Sequence, residues 1–304
     1  GVKNVITSRG CVYKCTFCFE ESMKDLYKDK GRYVRFRSVD NVIRELVGIR
    51  SGYAPRTIYF CDDVFGINKE WLYDFLDRYK REIGLEFICL VRADIVASDA
   101  GYAKRLFDAG CRTVFFGIET GSERLRNEVL KKQLSDAAIY KAAENLHAAG
   151  IKFRTYNILG LPDETFEDAC ETIRMNIRIK ADYPWCSIFS PYPRTELARY
   201  AAEKGYLPPD FSPDDIPQSF FIDSRLNIRD IKKIENLHKF FQTAVLLPWT
   251  LPLVKLLAGL PPNILFRAWF GLVYFYVYVR SEQRDFRSTL VFALRNYKSV
   301  LLRG

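Results

Sequence analysis

Histidine is nearly absent from this chain of 304 residues: only His147 and His238 occur. That excludes a histidine-rich metal centre, and any catalytic engine built on a histidine base would have to use one of those two. No G-x-G-x-x-G follows the first strand-like run, which argues against a dinucleotide-binding fold. The opening Gly1-Val2-Lys3-Asn4-Val5-Ile6 has no secretory character. No apolar stretch reaches the roughly twenty unbroken residues of a membrane span. A disulfide framework is therefore not expected, and a reducing, cytoplasmic setting is. Against these absences stand eight cysteines, 15% aromatic residues and a net charge of +9. The charge suits an anionic partner without choosing among nucleic acid, anionic lipid and a phosphorylated cofactor.

The cysteines divide into two groups. Cys61, Cys89, Cys111, Cys170 and Cys186 sit singly within apolar runs, where a free thiol packs as a small hydrophobe. Cys11, Cys15 and Cys18 are crowded into Cys11-Val12-Tyr13-Lys14-Cys15-Thr16-Phe17-Cys18. Three close thiolates can hold a metal or an iron–sulfur cluster. A structural zinc would want a fourth ligand nearby, and no His or further Cys follows until Cys61. Three ligands suit a [4Fe-4S] cluster with one iron left open to substrate or cofactor.

Around the cysteines, β-branched runs alternate with helical patterns. The strand-like runs are Val2–Thr7, Thr57–Cys61, Glu86–Val91, Thr113–Ile118, Phe153–Leu159 and Trp185–Ser190. Between them, Ser135 reads as an N-cap and Gly150 as a stop, with Ile139, Ala142, Ala143, Leu146 and Ala149 on one stripe. Ser98 and Gly110 bracket another helix, and a third follows Asp163. Asp108-Ala109-Gly110-Cys111 and Ala148-Ala149-Gly150-Ile151 form a weak repeat, each between a helix and a strand. This pattern predicts an α/β fold, a partial (β/α)6 barrel of the TIM type, with a doubly wound sheet as the alternative.

In such a barrel, chemistry lies in the loops after the strands. The cysteine cluster follows the first strand. Later strands end in Cys61-Asp62-Asp63, near Arg92 and Asp94, in Gly117-Ile118-Glu119-Thr120-Gly121-Ser122, in Gly160-Leu161-Pro162-Asp163-Glu164, and in Ser190-Pro191-Tyr192-Pro193. Each alone reads as a helix cap or a surface charge. Their recurrence at matching strand ends makes them candidate site residues.

The segment Ser8-Arg9-Gly10-Cys11 through Cys18, with aromatic Phe17 before the last cysteine, resembles the cluster loop of radical SAM enzymes. Tyr59–Phe65, Gly117–Ser122, Ile158–Thr165 and Phe189–Thr195 follow in that family's order, so the resemblance covers residues 1 to about 207. It implies a cluster bound by Cys11, Cys15 and Cys18, with S-adenosylmethionine on the open iron, reductively cleaved to start radical chemistry. Asp62 or Asp63 would meet the methionine amino group, and Glu119 the ribose or amino group. Arg92 would meet the carboxylate. Phe17 and the backbone of Ile158, Gly160 and Leu161 would flank the adenine. An external electron donor such as flavodoxin or ferredoxin is implied as well.

Within the superfamily, the Ser-Arg-Gly-Cys opening, the basic Arg32–Ser38 stretch, Asp62-Asp63 and Glu119 are most similar to the cobalamin-binding group. That group carries a Rossmann-like cobalamin domain ahead of its barrel. These residues include none, which leaves open a fragment or an enzyme without its own cobalamin domain, and so leaves cobalamin open as a third cofactor. Val12, Cys61 and Arg194 depart from the group's pattern; none is a cluster ligand.

Residues 208–304 form a separate, helical and hydrophobic expectation. Pro208, Pro209, Pro213 and Pro217 mark a linker. Asn227–Leu247 is helical, with Ile231, Ile234, Leu237, Phe241 and Val245 on one stripe, and Ala268–Val279 is a further apolar stretch. The tail turns basic with Arg280, Arg284, Arg287, Arg295, Lys298 and Arg303. These residues read as a subdomain closing the barrel. The sharper alternative is a surface resting on the inner face of a membrane, with Trp249 and Trp269 at the interface. The substrate expected is a hydrophobic or lipid-like small molecule, subject to methylation, C–C bond formation or rearrangement. An RNA-modifying radical SAM enzyme is the second reading; no appended RNA-binding module argues for it, so nucleic acid is not the expected partner. A non-enzymatic iron–sulfur or zinc module is the third.

Overall fold

The computed structural model describes residues 1–217 and 219–301, with side chains up to residue 295. The chain begins with β1 (Val2–Val5), β2 (Ser8–Arg9), α1 (Phe19–Leu26), β3 (Arg35–Phe36), α2 (Val39–Tyr53), β4 (Thr57–Phe60) and α3 (Lys69–Glu82). It continues through β5 (Glu86–Leu90), α4 (Ala93–Ala97), α5 (Ala100–Asp108), β6 (Cys111–Glu119), α6 (Asp136–Ala149), β7 (Lys152–Leu159), α7 (Phe166–Arg178), β8 (Tyr183–Ile188) and α8 (Glu196–Glu203). Four helices follow: α9 (Ile231–Leu246), α10 (Leu251–Ala258), α11 (Ile264–Ser281) and α12 (Phe286–Leu301).

Six strands form one parallel sheet in the order β1-β4-β5-β6-β7-β8. Spatial order follows chain order, so every crossover turns the same way and the helices collect on one face. That is the open-barrel arrangement; a doubly wound sheet would reverse direction at a switch point. The convex face is closed by aromatic packing. Phe60 stacks on Phe65 at 4.8 Å and meets Phe75, Tyr79 and Phe87 edge-on. On the concave side Tyr59, Phe115 and Tyr156 meet in a row, with centroids 5.5 and 6.0 Å apart.

Local chemistry explains most element ends. Ser135 accepts from Ala138 N and Gly150 takes a left-handed φ of 78°, as the pattern predicted. Helix α5 differs by one residue. Its cap is Asp99, which accepts from Gly101 N at 2.8 Å, while the Ser98 hydroxyl donates to Ile95 O. The helix predicted from Asn227 starts at Ile231, because Asn227 N is tied to Tyr206 O at 2.8 Å. The apolar residues from Ala244 to Phe266 are divided by prolines among the end of α9, all of α10 and the start of α11. The apolar stretch Ala268–Val279 lies inside α11.

The C-terminal helices dock on the barrel. Helix α9 lies against β8 and α7, and α10 and α11 cover it from outside. The turn after α11 bridges two strand beginnings: Arg154 of β7 donates to Glu282 at 3.2 Å, and Thr57 of β4 donates to Gln283 at 2.7 Å. Glu282 also accepts from Arg284 at 3.0 Å. Among the described residues no helix is long and apolar enough to cross a membrane. The Lys298 side chain and Arg303 lie outside the described residues.

Candidate active site around the cysteine loop

The loop after β1 is tied down before it reaches Cys11. Asp62, only 1% exposed, accepts from Thr7 N at 3.1 Å, from the Thr7 hydroxyl at 2.7 Å and from the Ser8 hydroxyl at 2.6 Å, as well as from Ser8 N. Asp63 accepts from Gly10 N at 3.0 Å and is exposed. The sequence treats the two carboxylates as equivalent. The structure separates them: the acceptor sites of Asp62 are occupied by the loop itself, and Asp63 lies beside Cys11. Desolvation, then Glu20, raises Asp63 above the usual carboxylate range.

The far side of the loop is held by the turn that follows a π-helical segment at Leu125–Val129. Thr16 N donates to Leu130 O at 3.0 Å, and the Thr16 hydroxyl donates to Val129 O at 2.8 Å. Gly10 sits at φ 85°, where a Cβ would lie 2.8 Å from Tyr33 O, so only glycine lets the loop cross there.

Cys11, Cys15 and Cys18 lie within electrostatic reach of one another. Burial pushes all three thiols up, Cys18 to about 11, and Cys18 caps the start of α1. Lys132 and Arg92 pull Cys15 the other way. Among the described residues no three Cys, His, Asp or Glu side chains are close enough to hold a single metal ion. A loop with three mutually close thiols, two flanking cations and no fourth thiol fits a cluster whose fourth iron is left to another ligand; coordination displaces the thiol protons.

Glu119 ends β6 in a left-handed conformation, φ 68°, at an irregularity in the β6–β7 register. Such bulges re-aim a side chain. Its carboxylate pairs with Lys132 at 2.7 Å, and both are buried. A Cβ on Gly117 would lie 1.9 Å from Glu119 Oε1 and 2.9 Å from Lys132 Nζ. The glycine of the Gly117-Ile118-Glu119 motif is thus the floor under this ion pair. Lys132 was missing from the sequence reading. Its only signal was a lysine in the loop after a strand-end motif, thirteen positions beyond its partner.

Arg92 is also buried. It pairs with Asp94 at 3.0 Å, covers the Tyr13 ring at 3.5 Å and donates to Lys132 O at 3.0 Å. The two cations, Glu119 and the cysteine loop therefore form one connected group. At the β7 end, Gly160 takes φ 75° and the Leu161 side chain is buried in the core. Both backbone N–H groups donate to Glu164, Leu161 at 3.2 Å. These donors, which the resemblance sets beside the adenine, are already engaged.

Phe17 and Ile158 share a cleft of about 190 Å³ with Ser187, Ile188, Phe189, Ser190, Tyr192 and Phe220. A second cavity, of about 590 Å³, lies at the opposite end of the barrel beside Arg56 and Arg284. Cys61 differs from the other four isolated cysteines: it is half-buried, whereas Cys89, Cys111, Cys170 and Cys186 are buried.

The chain belongs to the Radical SAM superfamily, whose model matches residues 5–175. Its cofactors are accordingly a [4Fe-4S] cluster and S-adenosylmethionine. It is 35% identical over 207 residues to an uncharacterized methyltransferase of Pyrococcus horikoshii, covering 67% of this chain and 42% of that one. Its fold resembles the radical S-adenosylmethionine methyltransferase TsrM from Kitasatospora setae, solved with cobalamin and a [4Fe-4S] cluster. That match has a TM-score of 0.55 and 20% identity, over 67% of this chain and 37% of that one. The cobalamin-dependent S-adenosylmethionine radical enzyme OxsB aligns over 97% of this chain and 49% of its own, with a TM-score of 0.62 and 18% identity. That alignment takes in the C-terminal helices. The chain spans about two fifths of the length of the curated relatives it matches.

Proposed function

We propose that this chain carries the catalytic barrel of a radical SAM methyltransferase acting on a hydrophobic or lipid-like substrate, with cobalamin as a further cofactor. The observation that carries the reading is the group at the strand ends: three neighbouring thiols on one loop, the buried Glu119–Lys132 pair beside them, and an apolar cleft opening next to Phe17. Methyltransferase names among the relatives support the reaction class.

Cys11, Cys15 and Cys18 hold the cluster. Bound there, the cluster and S-adenosylmethionine supply a one-electron cleavage that makes a carbon radical. Asp63 is the carboxylate available to the methionine ammonium, since Asp62 is engaged by Thr7 and Ser8. Glu119 accepts from the ribose or the ammonium when its pairing with Lys132 loosens. Arg92, held by Asp94 and Tyr13, presents a fixed positive charge to the carboxylate. An external flavodoxin or ferredoxin delivers the electron.

The test is anaerobic reconstitution with iron, sulfide, reductant and S-adenosylmethionine. The parent forms a cluster and releases 5′-deoxyadenosine, and Cys15→Ala does neither. A Cys15→Ala variant as active as the parent sinks the assignment.

The same reading places the C-terminal helices on a membrane surface. Trp249, Leu256, Leu265, Trp269 and Leu272 are exposed together with basic Arg280 and Arg287. Detergent-free fractionation that leaves all the protein in the supernatant at physiological salt counts against this part.

A further inference from the structure

We infer that Phe220, from the segment leading into α9, completes the adenine site of S-adenosylmethionine and holds the base together with Phe17. The inference rests on the proposed function above and adds a binding residue from outside the barrel motifs.

The cleft is lined by Phe17, Ile158, Ile188, Phe189, Tyr192 and Phe220, with Ser187 and Ser190 as its polar members. Apolar faces with a few hydroxyls match a flat base with a polar edge. Phe17 adjoins the cluster ligand Cys18, so a group in this cleft lies next to the cluster loop. The Gly160 and Leu161 N–H groups are held by Glu164 and are not available to the base. Recognition therefore depends on ring contacts.

Phe220 is 42% exposed, yet its backbone is firmly placed. Ile188 N donates to Phe220 O at 2.7 Å, which fastens the segment to the end of β8. The buried Lys239 of α9 donates to Phe221 O and, at 2.9 Å, to Ile222 O. Ser224 N donates to Glu235 at 2.9 Å. Phe221 is packed between Trp185, Phe270 and Tyr274, with centroids 5.9, 5.7 and 4.8 Å away. Phe220 in turn lies 4.4 Å from the Phe221 ring. An aromatic ring left open on an anchored backbone, at the wall of a cleft, is preorganised for stacking, because little side-chain freedom remains to be lost on binding.

The experiment uses the full chain after anaerobic reconstitution, with Phe220→Ala, Phe220→Leu and Phe220→Trp. Iron and sulfide content and thermal melting establish that each variant is folded and loaded. Equilibrium dialysis then measures S-adenosylmethionine and 5′-deoxyadenosine separately, and the cluster's electron paramagnetic resonance reports free methionine. Loss of one stacking ring should weaken both adenine-containing ligands about tenfold in Phe220→Ala. Phe220→Leu should fall between it and the parent, Phe220→Trp should bind as the parent does, and methionine should be unaffected. Phe220→Ala with parental affinity for both ligands overturns the inference. Equal weakening toward methionine overturns it as well, by showing a general disturbance of the site. A parent that loads its cluster and binds no S-adenosylmethionine refutes the proposed function itself; a binding parent with an indifferent Phe220→Ala refutes only the role of Phe220.

Discussion

The barrel and the C-terminal helices differ in what they expose. In the barrel, apolar side chains fill the space between sheet and helices, and the buried charges of the site, Glu119, Lys132 and Arg92, occur in pairs or networks beside the cysteine loop. In the C-terminal helices buried polar side chains sit among apolar ones, and much of the outside is apolar. Helix α9 buries Glu235, Asn236, His238, Lys239 and Gln242. Among the described residues, fifteen of the 24 exposed large hydrophobic residues lie between Leu247 and Leu294. Burial holds His238 well below its ordinary value and hence neutral, with its ring nitrogen against Cys186 O at 3.0 Å. The helices beyond the barrel share its core on one side and on the other present a surface suited to an apolar neighbour.

The strongest way to break this comparison is to cut the joint between the regions. Arg154 lies over Phe115 and Trp185, 4.3 and 4.4 Å from their rings, and pairs with Glu282. Removing it in Arg154→Ala leaves a cavity and loosens the turn after α11; a loss of about 3 kcal/mol in denaturant unfolding is expected. A variant as stable as the parent would show that the helices are held by α9 alone.

Within the barrel, Gly117→Ala displaces Glu119 from Lys132. It should cost about 2 kcal/mol and weaken S-adenosylmethionine binding, with cluster content retained. Unchanged affinity in dialysis would remove Glu119 from the cofactor site.

Protonation provides a smaller effect. Burial pushes Glu164 up to about 8, against the pull of the Gly160 and Leu161 N–H groups. A carboxyl raised above its unfolded value of 4.5 stabilises the fold in protonated form. That contribution is complete below the unfolded value and is lost as pH climbs through about 8. The melting temperature should therefore fall from about pH 4.5 to about pH 8 and level off above that, and Glu164→Gln should flatten the slope. A parental slope in the variant assigns the effect to other groups.

The smallest stability effect belongs to the outer surface. Leu256→Ser and Leu265→Ser should shift unfolding by less than about 0.5 kcal/mol, because both residues are exposed. The same changes should sharply reduce cosedimentation with vesicles containing anionic lipid. Parental cosedimentation would place the contact elsewhere.

Several features were legible in the residues alone. The spacing of Cys11, Cys15 and Cys18 already implied three neighbouring thiols, because residues on one short loop are close by chain connectivity. The six strands were legible because β-branched runs between capped helices have few other solutions, and the parallel order follows from right-handed crossovers. Other features depended on partners distant in the chain. Asp62 and Asp63 are neighbours in sequence, yet the loop after β4 turns one toward Thr7 and Ser8 and the other toward Gly10. Lys132 meets Glu119 only because of the β6–β7 irregularity, and Phe220 reaches the cleft only because β8 and Lys239 fix its segment there. Helix α9 carries an apolar stripe that predicts one solvated face, but docking between β8 and α10–α11 buried that face too. Periodicity and spacing report what a segment prefers on its own; which buried charge meets which, and which ring closes a cleft, was decided by tertiary packing across tens of residues.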